Sequence, residues 1–209
     1  MTAPAQCGPE APRRLAFRGD RNRPGRSDVT GAFAPEALRY AGKLGQVHVV
    51  SLTAPRAEQR AQIERVIAEV RPDEVAFFCH GLSQRIELGY SVHEVDRLAA
   101  VLASVGCHRV ALHACLTGKH ATKGFAAMLR DAMCAAGLDA RVLGSTTSGH
   151  TSQNPNRRIF TTPKGSPGTW IVEPKSSGWK AWCKRMRAAD DSLRFELLEH
   201  DVAQVRAAV

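Results

Sequence analysis

Between residues 47 and 147 the chain alternates four short, continuously apolar runs with three stretches of helical periodicity, and this alternation constrains the fold more than any other feature. The runs are VHVVSL (47–52), VAFFCHG (75–81), RVALHAC (109–115) and ARVLGSTT (140–147). Each is apolar throughout rather than every second residue, which is the pattern of strands buried on both faces. Residues 56–70 carry Ile63, Val66, Ile67 and Val70 at helical spacing, and Pro72 stops that helix. Residues 91–105 open on Ser91 with Glu94 three positions on, a capping box, and close at Gly106. Residues 123–136 form a third helix ending at Gly137. Strand–helix–strand units of this kind predict an α/β fold: a parallel sheet flanked by helices on both faces.

Outside that block the signals are shorter. Leu15–Arg18 is a further candidate strand, and residues 35–43, from a proline to just before Gly45, suit a short helix. RRIFTT (157–162) and TWIVEP (169–174), separated by Pro163, Gly165 and Pro167, predict a β-hairpin, followed by one or two C-terminal helices. The expected organisation is a tail over 1–12, an α/β core over 13–150, and a hairpin-plus-helix extension over 151–209 packing on that core.

The chain carries a formal charge of +9, and the charge is clustered. Residues 13–26 hold six Arg against one Asp, and residues 175–187 hold five Lys or Arg, two Trp and no acid. Such a surface either keeps the protein dispersed in water or meets an anionic partner, nucleic acid included, with Lys180, Lys184 and Arg185 as the contact residues. No RNP, zinc-finger or basic-zipper pattern accompanies it. The six cysteines show no CxxC pair, no window approaches a membrane span, and the N-terminus lacks an apolar targeting core. A cytoplasmic protein with reduced thiols is expected.

In parallel α/β sheets ligands bind beyond the carboxyl ends of the strands. One strand runs into His80-Gly81 and the next into Cys115, and a single helical crossover joins them, so they are expected to be neighbours about 4.8 Å apart. An imidazole beside a thiol is the minimum for thiol nucleophilic catalysis: it stabilises the thiolate, then protonates the leaving amine. Gly81, lacking Cβ, lets a carbonyl approach the backbone N–H as an oxyanion donor. Taken singly, Cys115 reads as a buried structural thiol and His80 as a histidine satisfied by a backbone carbonyl. Their joint placement at adjacent strand ends, with Gly after the His, favours a site.

An apolar strand ending in His-Gly, then a helix, then an apolar strand ending in Ala-Cys, resembles the caspase-like cysteine peptidases, a group that includes caspases, metacaspases, gingipains and clostripain. The resemblance covers residues 15–150 and rests on VAFFCHG and VALHAC. It implies a caspase-like fold and peptide-bond hydrolysis, with Cys115 as nucleophile, His80 as general acid/base, and the N–H groups of Gly81 and Cys115 facing the oxyanion. The strings 19–33 and 149–160 resemble stretches of bacterial and phage-borne proteins and imply no activity.

The sequence departs from true caspases, in which the nucleophile follows Gln-Ala and precedes a glycine one residue on, with His about 50 residues upstream. Here the string is His113-Ala114-Cys115-Leu116-Thr117, and His80 and Cys115 are closer together. The position two before the nucleophile lines the specificity pocket in relatives; His113 there leaves the preference open, and serves as a pocket residue or a rival base. Arg18 and Asp20 (with Arg21) follow the first strand, where relatives place pocket residues. His150 either reaches the same site or is an exposed loop histidine.

Three rival chemistries are weaker. His80, His113, Cys115 and His150 match no zinc spacing, so no metal and no other cofactor is expected. There is no G-x-S-x-G elbow and no phosphate-binding glycine fingerprint. The remaining alternative is a caspase-like module without turnover that binds a protein or an anionic partner through its basic surface. The sequence leaves the oligomeric state open.

Overall fold

The computed structural model describes residues 12–20, 33–148, 154 and 156–188. In chain order the elements are β1 (Arg14–Gly19), α1 (Phe33–Ala41), β2 (Gln46–Val50), α2 (Arg56–Val70), β3 (Glu74–Phe78), a small hairpin of β4 (Gly81–Leu82) and β5 (Arg85–Ile86), α3 (Val95–Val105), β6 (Arg109–His113), α4 (Phe125–Ala135), β7 (Arg141–Ser145), β8 (Arg157–Thr161), β9 (Thr169–Trp170) and α5 (Ser177–Ala188). The fold is α/β, and its sheet arrangement is consistent with a caspase-like architecture.

One sheet of seven strands runs in the order β2-β1-β3-β6-β7-β8-β9. The first five are parallel, and β8 and β9 are antiparallel to their neighbours. The predicted hairpin is present as β8 and β9, and it joins the core by sheet pairing: β8 pairs with β7 from Arg141↔Thr161 to Ser145↔Arg157 and continues the central sheet.

Connection handedness explains which helix covers which face. The step from β1 to β2 moves one way along the sheet, and the steps from β2 to β3, β6 and β7 move the other way. Parallel crossovers are right-handed, so the first connecting helix lies on the face opposite the rest. Accordingly α1 packs its Ala37 and Tyr40 on Ala16, Ala76 and Phe78. On the other face α2, α3 and α4 cover Leu15, Phe17, Val75, Phe77, Val110, Leu112 and Val142 in the larger core. Successive residues of β1 and β3 thus alternate between two apolar layers, the reason these runs are apolar throughout.

Helix boundaries differ from the sequence reading in one informative place. Helix α3 begins at Val95, not at Ser91. The Glu94 carboxylate does accept the Ser91 N–H at 2.8 Å and the Ser91 hydroxyl. Ser91, however, also forms a β-bridge with Arg85, so sheet pairing holds it outside the helix and the box closes a turn ahead of it. Pro72 does follow the end of α2, where Arg71 takes a left-handed conformation (φ 50°).

Candidate active site

The order β2-β1-β3 reverses direction between β1 and β3, and the crevice beyond the carboxyl ends of strands at such a switch point is where open α/β sheets bind ligands. Arg18, His80, His113 and Cys115 lie at or just beyond the ends of β1, β3 and β6 on this edge. Cross-strand partners Arg18↔Phe78 and Phe78↔His113 form one row across β1, β3 and β6. All three occupy the α1 side of the sheet by strand alternation. Two residues beyond Phe78 stands His80, and two residues beyond His113 stands Cys115. The ordered strands stop short of both residues, by the same number of positions. Pairing ends at Phe78↔His113, so His80 and Cys115 share an equal offset past the last paired row rather than a paired position.

Packing holds the two strand ends together. A Cβ on Gly81 would lie 2.8 Å from the Ala114 Cβ, 2.8 Å from the Cys115 carbonyl oxygen and 3.3 Å from the Cys115 nitrogen. The glycine is required because the backbone of Cys115 occupies that space, a different reason from the substrate access argued from sequence. The segment after His80 is fixed in turn. The Glu87 N–H donates to the His80 carbonyl at 2.9 Å, and the Phe125 N–H, at the start of α4, donates to the Ser83 carbonyl at 2.7 Å.

The turn carrying Cys115 is equally constrained. The Thr117 hydroxyl donates to the Ala114 carbonyl at 3.1 Å, the Gly118 N–H to Ser145 at 2.8 Å, and the Leu116 N–H to Thr147 at 3.4 Å. Leu116 itself takes φ 62°. A left-handed conformation at a leucine costs about 1–2 kcal/mol, and here it directs the chain out of β6 immediately after the thiol.

The cysteines divide by environment. Cys79 is 1% exposed in the larger core, where burial pushes its thiol pKa well up. Burial likewise pushes Cys107 up to about 12 and raises Cys134. Cys115 is half-buried at the sheet edge, and none of the described cysteines is disulfide-bonded. His80 is exposed, and its ring meets Phe33, the first residue of α1, edge to face with centroids 5.1 Å apart and planes at 80°.

His113 lies deeper than the other candidates, 7% exposed. It stacks on Phe78, with centroids 4.3 Å apart and planes 4° from parallel, and meets Tyr40 at 6.2 Å. The guanidinium of Arg157, itself 1% exposed, approaches the His113 Nδ1 at 3.4 Å. Burial first, and then the Arg157 charge, hold the His113 pKa well below the usual histidine value, so the ring is neutral near pH 7. A proton on it would face the guanidinium inside the protein; His113 is therefore unsuited to act as the rival base.

Arg18 is half-buried and bonds the Gly19 carbonyl at 3.2 Å. Asp20 joins two strand ends: its N–H donates to the Val50 carbonyl at 3.0 Å, and its carboxylate accepts the Leu52 N–H at 3.3 Å. Arg21 and His150 lie outside the described residues. Among the described residues no group of three or more His, Cys, Asp or Glu side chains is arranged to hold a metal ion. No described helix is long and apolar enough to cross a membrane.

Sequence reasoning passed over Phe33 and Arg157. Phe33 gave no signal beyond standing two residues before Pro35. Arg157 opens RRIF, and the antiparallel pairing of β8 sets its first residue at the edge where the parallel strands end. No protein-family model matches the chain, and comparison with curated proteins returns no match.

Proposed function

We propose that this protein is a cysteine endopeptidase-like hydrolase working through a His80–Cys115 dyad. The observation that carries the reading is the equal offset of the two residues beyond the Phe78↔His113 pair, beside the switch point of the sheet. On this reading His80 takes the Cys115 thiol proton, and the thiolate adds to the substrate carbonyl. The oxyanion accepts from the N–H groups of Gly81 and Cys115. The intermediate expels the amine, which receives its proton from His80, leaving a thioester on Cys115. Water, deprotonated by His80, then adds to the thioester carbonyl; the acid departs and the thiol is restored.

Arg18 and His113, one row below the dyad on the same side of the sheet, are the substrate-binding candidates that this geometry favours. An anionic partner is a companion proposal: Lys180 and Lys184 are both exposed on α5, while the side chain of Arg185 lies outside the described residues.

A peptide library read by mass spectrometry tests the reading without assuming a specificity. Wild-type protein is expected to cleave a subset of peptides. Cys115→Ala and His80→Ala should each lose at least about a thousandfold in rate, the usual consequence of removing a member of a catalytic set. Cys79→Ala, one residue from His80 but in the opposite core, should retain activity. Cleavage by the Cys115→Ala protein, or none by the wild type, would overturn the proposal and leave the binding-module reading in its place.

A further inference from the structure

We propose that Phe33 is a positioning residue for His80, holding the imidazole toward Cys115 where a side-chain hydrogen bond would do so in other dyads. The proposal rests on the dyad reading above. His80 is exposed and stands past the end of β3, so neither strand pairing nor burial fixes its ring. Among the described residues, the directed contact made by that ring is the one with Phe33, at 5.1 Å and 80°. This separation and angle fall in the preferred edge-to-face range for aromatic pairs.

Phe33 is in turn well anchored. It begins α1, packs against the smaller core under that helix, and is itself half-buried. The reversed crossover lays α1 over β1, β3 and β2 on the face opposite α2, α3 and α4, so the topology delivers its first residue to the β3 end of the switch point. An exposed histidine with three staggered χ1 wells spends much of its time turned away from a neighbour unless something selects one well. A flat, anchored ring alongside it supplies that selection.

The test reads the thiolate directly. Alkylation of Cys115 by iodoacetamide is followed against pH, by mass spectrometry of the peptide that contains it, so the other thiols do not interfere. The wild type is expected to show a reactive shoulder below the ordinary thiol pKa of about 8.5, produced by the thiolate–imidazolium pair, and His80→Ala should abolish it. Phe33→Leu, which keeps an apolar side chain under α1 but removes the ring, should lower the rate on the shoulder roughly three- to tenfold, in line with an aromatic pair's orientational preference. Phe33→Tyr should restore it, and circular dichroism should show all variants folded.

A shoulder lost in His80→Ala but intact in Phe33→Leu would overturn the positioning role and leave the dyad standing. Identical profiles for wild type and His80→Ala would overturn both. A Phe33→Tyr protein as impaired as Phe33→Leu would also overturn the role, because the ring would then not be the cause. Should Phe33→Leu fail to fold, Phe33→Tyr against Phe33→Met provides the same contrast, and equal shoulders in those two proteins would overturn the proposal.

Discussion

Replacing Gly81 by alanine adds one methyl group at the point where the two candidate strand ends meet. The new Cβ would fall 2.8 Å from the Cys115 carbonyl oxygen and 2.8 Å from the Ala114 Cβ. Ordinary contact begins near 3.4 Å, so the neighbours must retreat by about half an ångström on two sides. Two of the three nearest atoms are backbone, and that backbone is held by the bonds of Thr117, Gly118 and Leu116 to their neighbours, so it does not yield as a flexible side-chain tip would. Overpacking of this kind costs about 1–3 kcal/mol, which for a chain of this size lowers the melting temperature by about 2–12 °C.

The control is Gly106→Ala. Gly106 has φ 74° with nothing within 4 Å of its would-be Cβ, so the expected loss is the left-handed conformational penalty of about 1–2 kcal/mol with no movement at the sheet edge. Thermal melts and the Cys115 alkylation rate separate the cases. Both variants should melt lower, but only Gly81→Ala should change Cys115 reactivity. A Gly81→Ala protein with wild-type stability and wild-type Cys115 reactivity would refute the close packing of the two strand ends.

His113 has its folded pKa depressed, so the unfolded chain takes up a proton on this residue before the native protein does. The associated stability is complete above about pH 6.5 and is lost as pH falls from there toward the depressed native value, by up to about 1.4 kcal/mol per pH unit; His113→Gln should flatten the fall in melting temperature between pH 7 and 5, and an unchanged slope would show that the ring is not held neutral. His48 is depressed in the same direction and contributes to the residual slope. If α5 binds nucleic acid, log affinity should fall with log salt by roughly 0.9 per phosphate contact on a duplex, and charge reversal at Lys180 and Lys184 should make that slope shallower; no binding at low salt in a filter or anisotropy assay would remove the anionic partner from the proposal.

Much of the sheet was legible because burial on both faces leaves an unambiguous trace. Runs such as VAFFCHG have no polar residue to offer solvent until they reach the strand end, and that transition from apolar to polar also marks the ligand-binding edge. The sequence reading carried these strands through residues 81 and 115, whereas pairing stops at Phe78 and His113. Apart from His80 the extra residues are apolar or small, so composition does not fix where the ladder ends; the end is set by the hairpin after His80 and the left-handed turn at Leu116.

What the sequence did not show is which residues support the candidate site from outside the two motifs. Phe33 reaches His80, and Arg157 reaches His113, across 47 and 44 positions of chain, and neither belongs to a local pattern. Both follow from topology. The reversed first crossover brings the start of α1 to the β3 end, and the antiparallel entry of β8 sets its first residue level with the ends of parallel strands. His113 shows the same point in its chemistry. At two residues from Cys115 its position suits a pocket residue and a rival base equally well in sequence, and only its burial, followed by the Arg157 charge, lowers its pKa. His80, by contrast, stands exposed beyond the end of β3. Depth in the sheet therefore separates the environments of the two histidines.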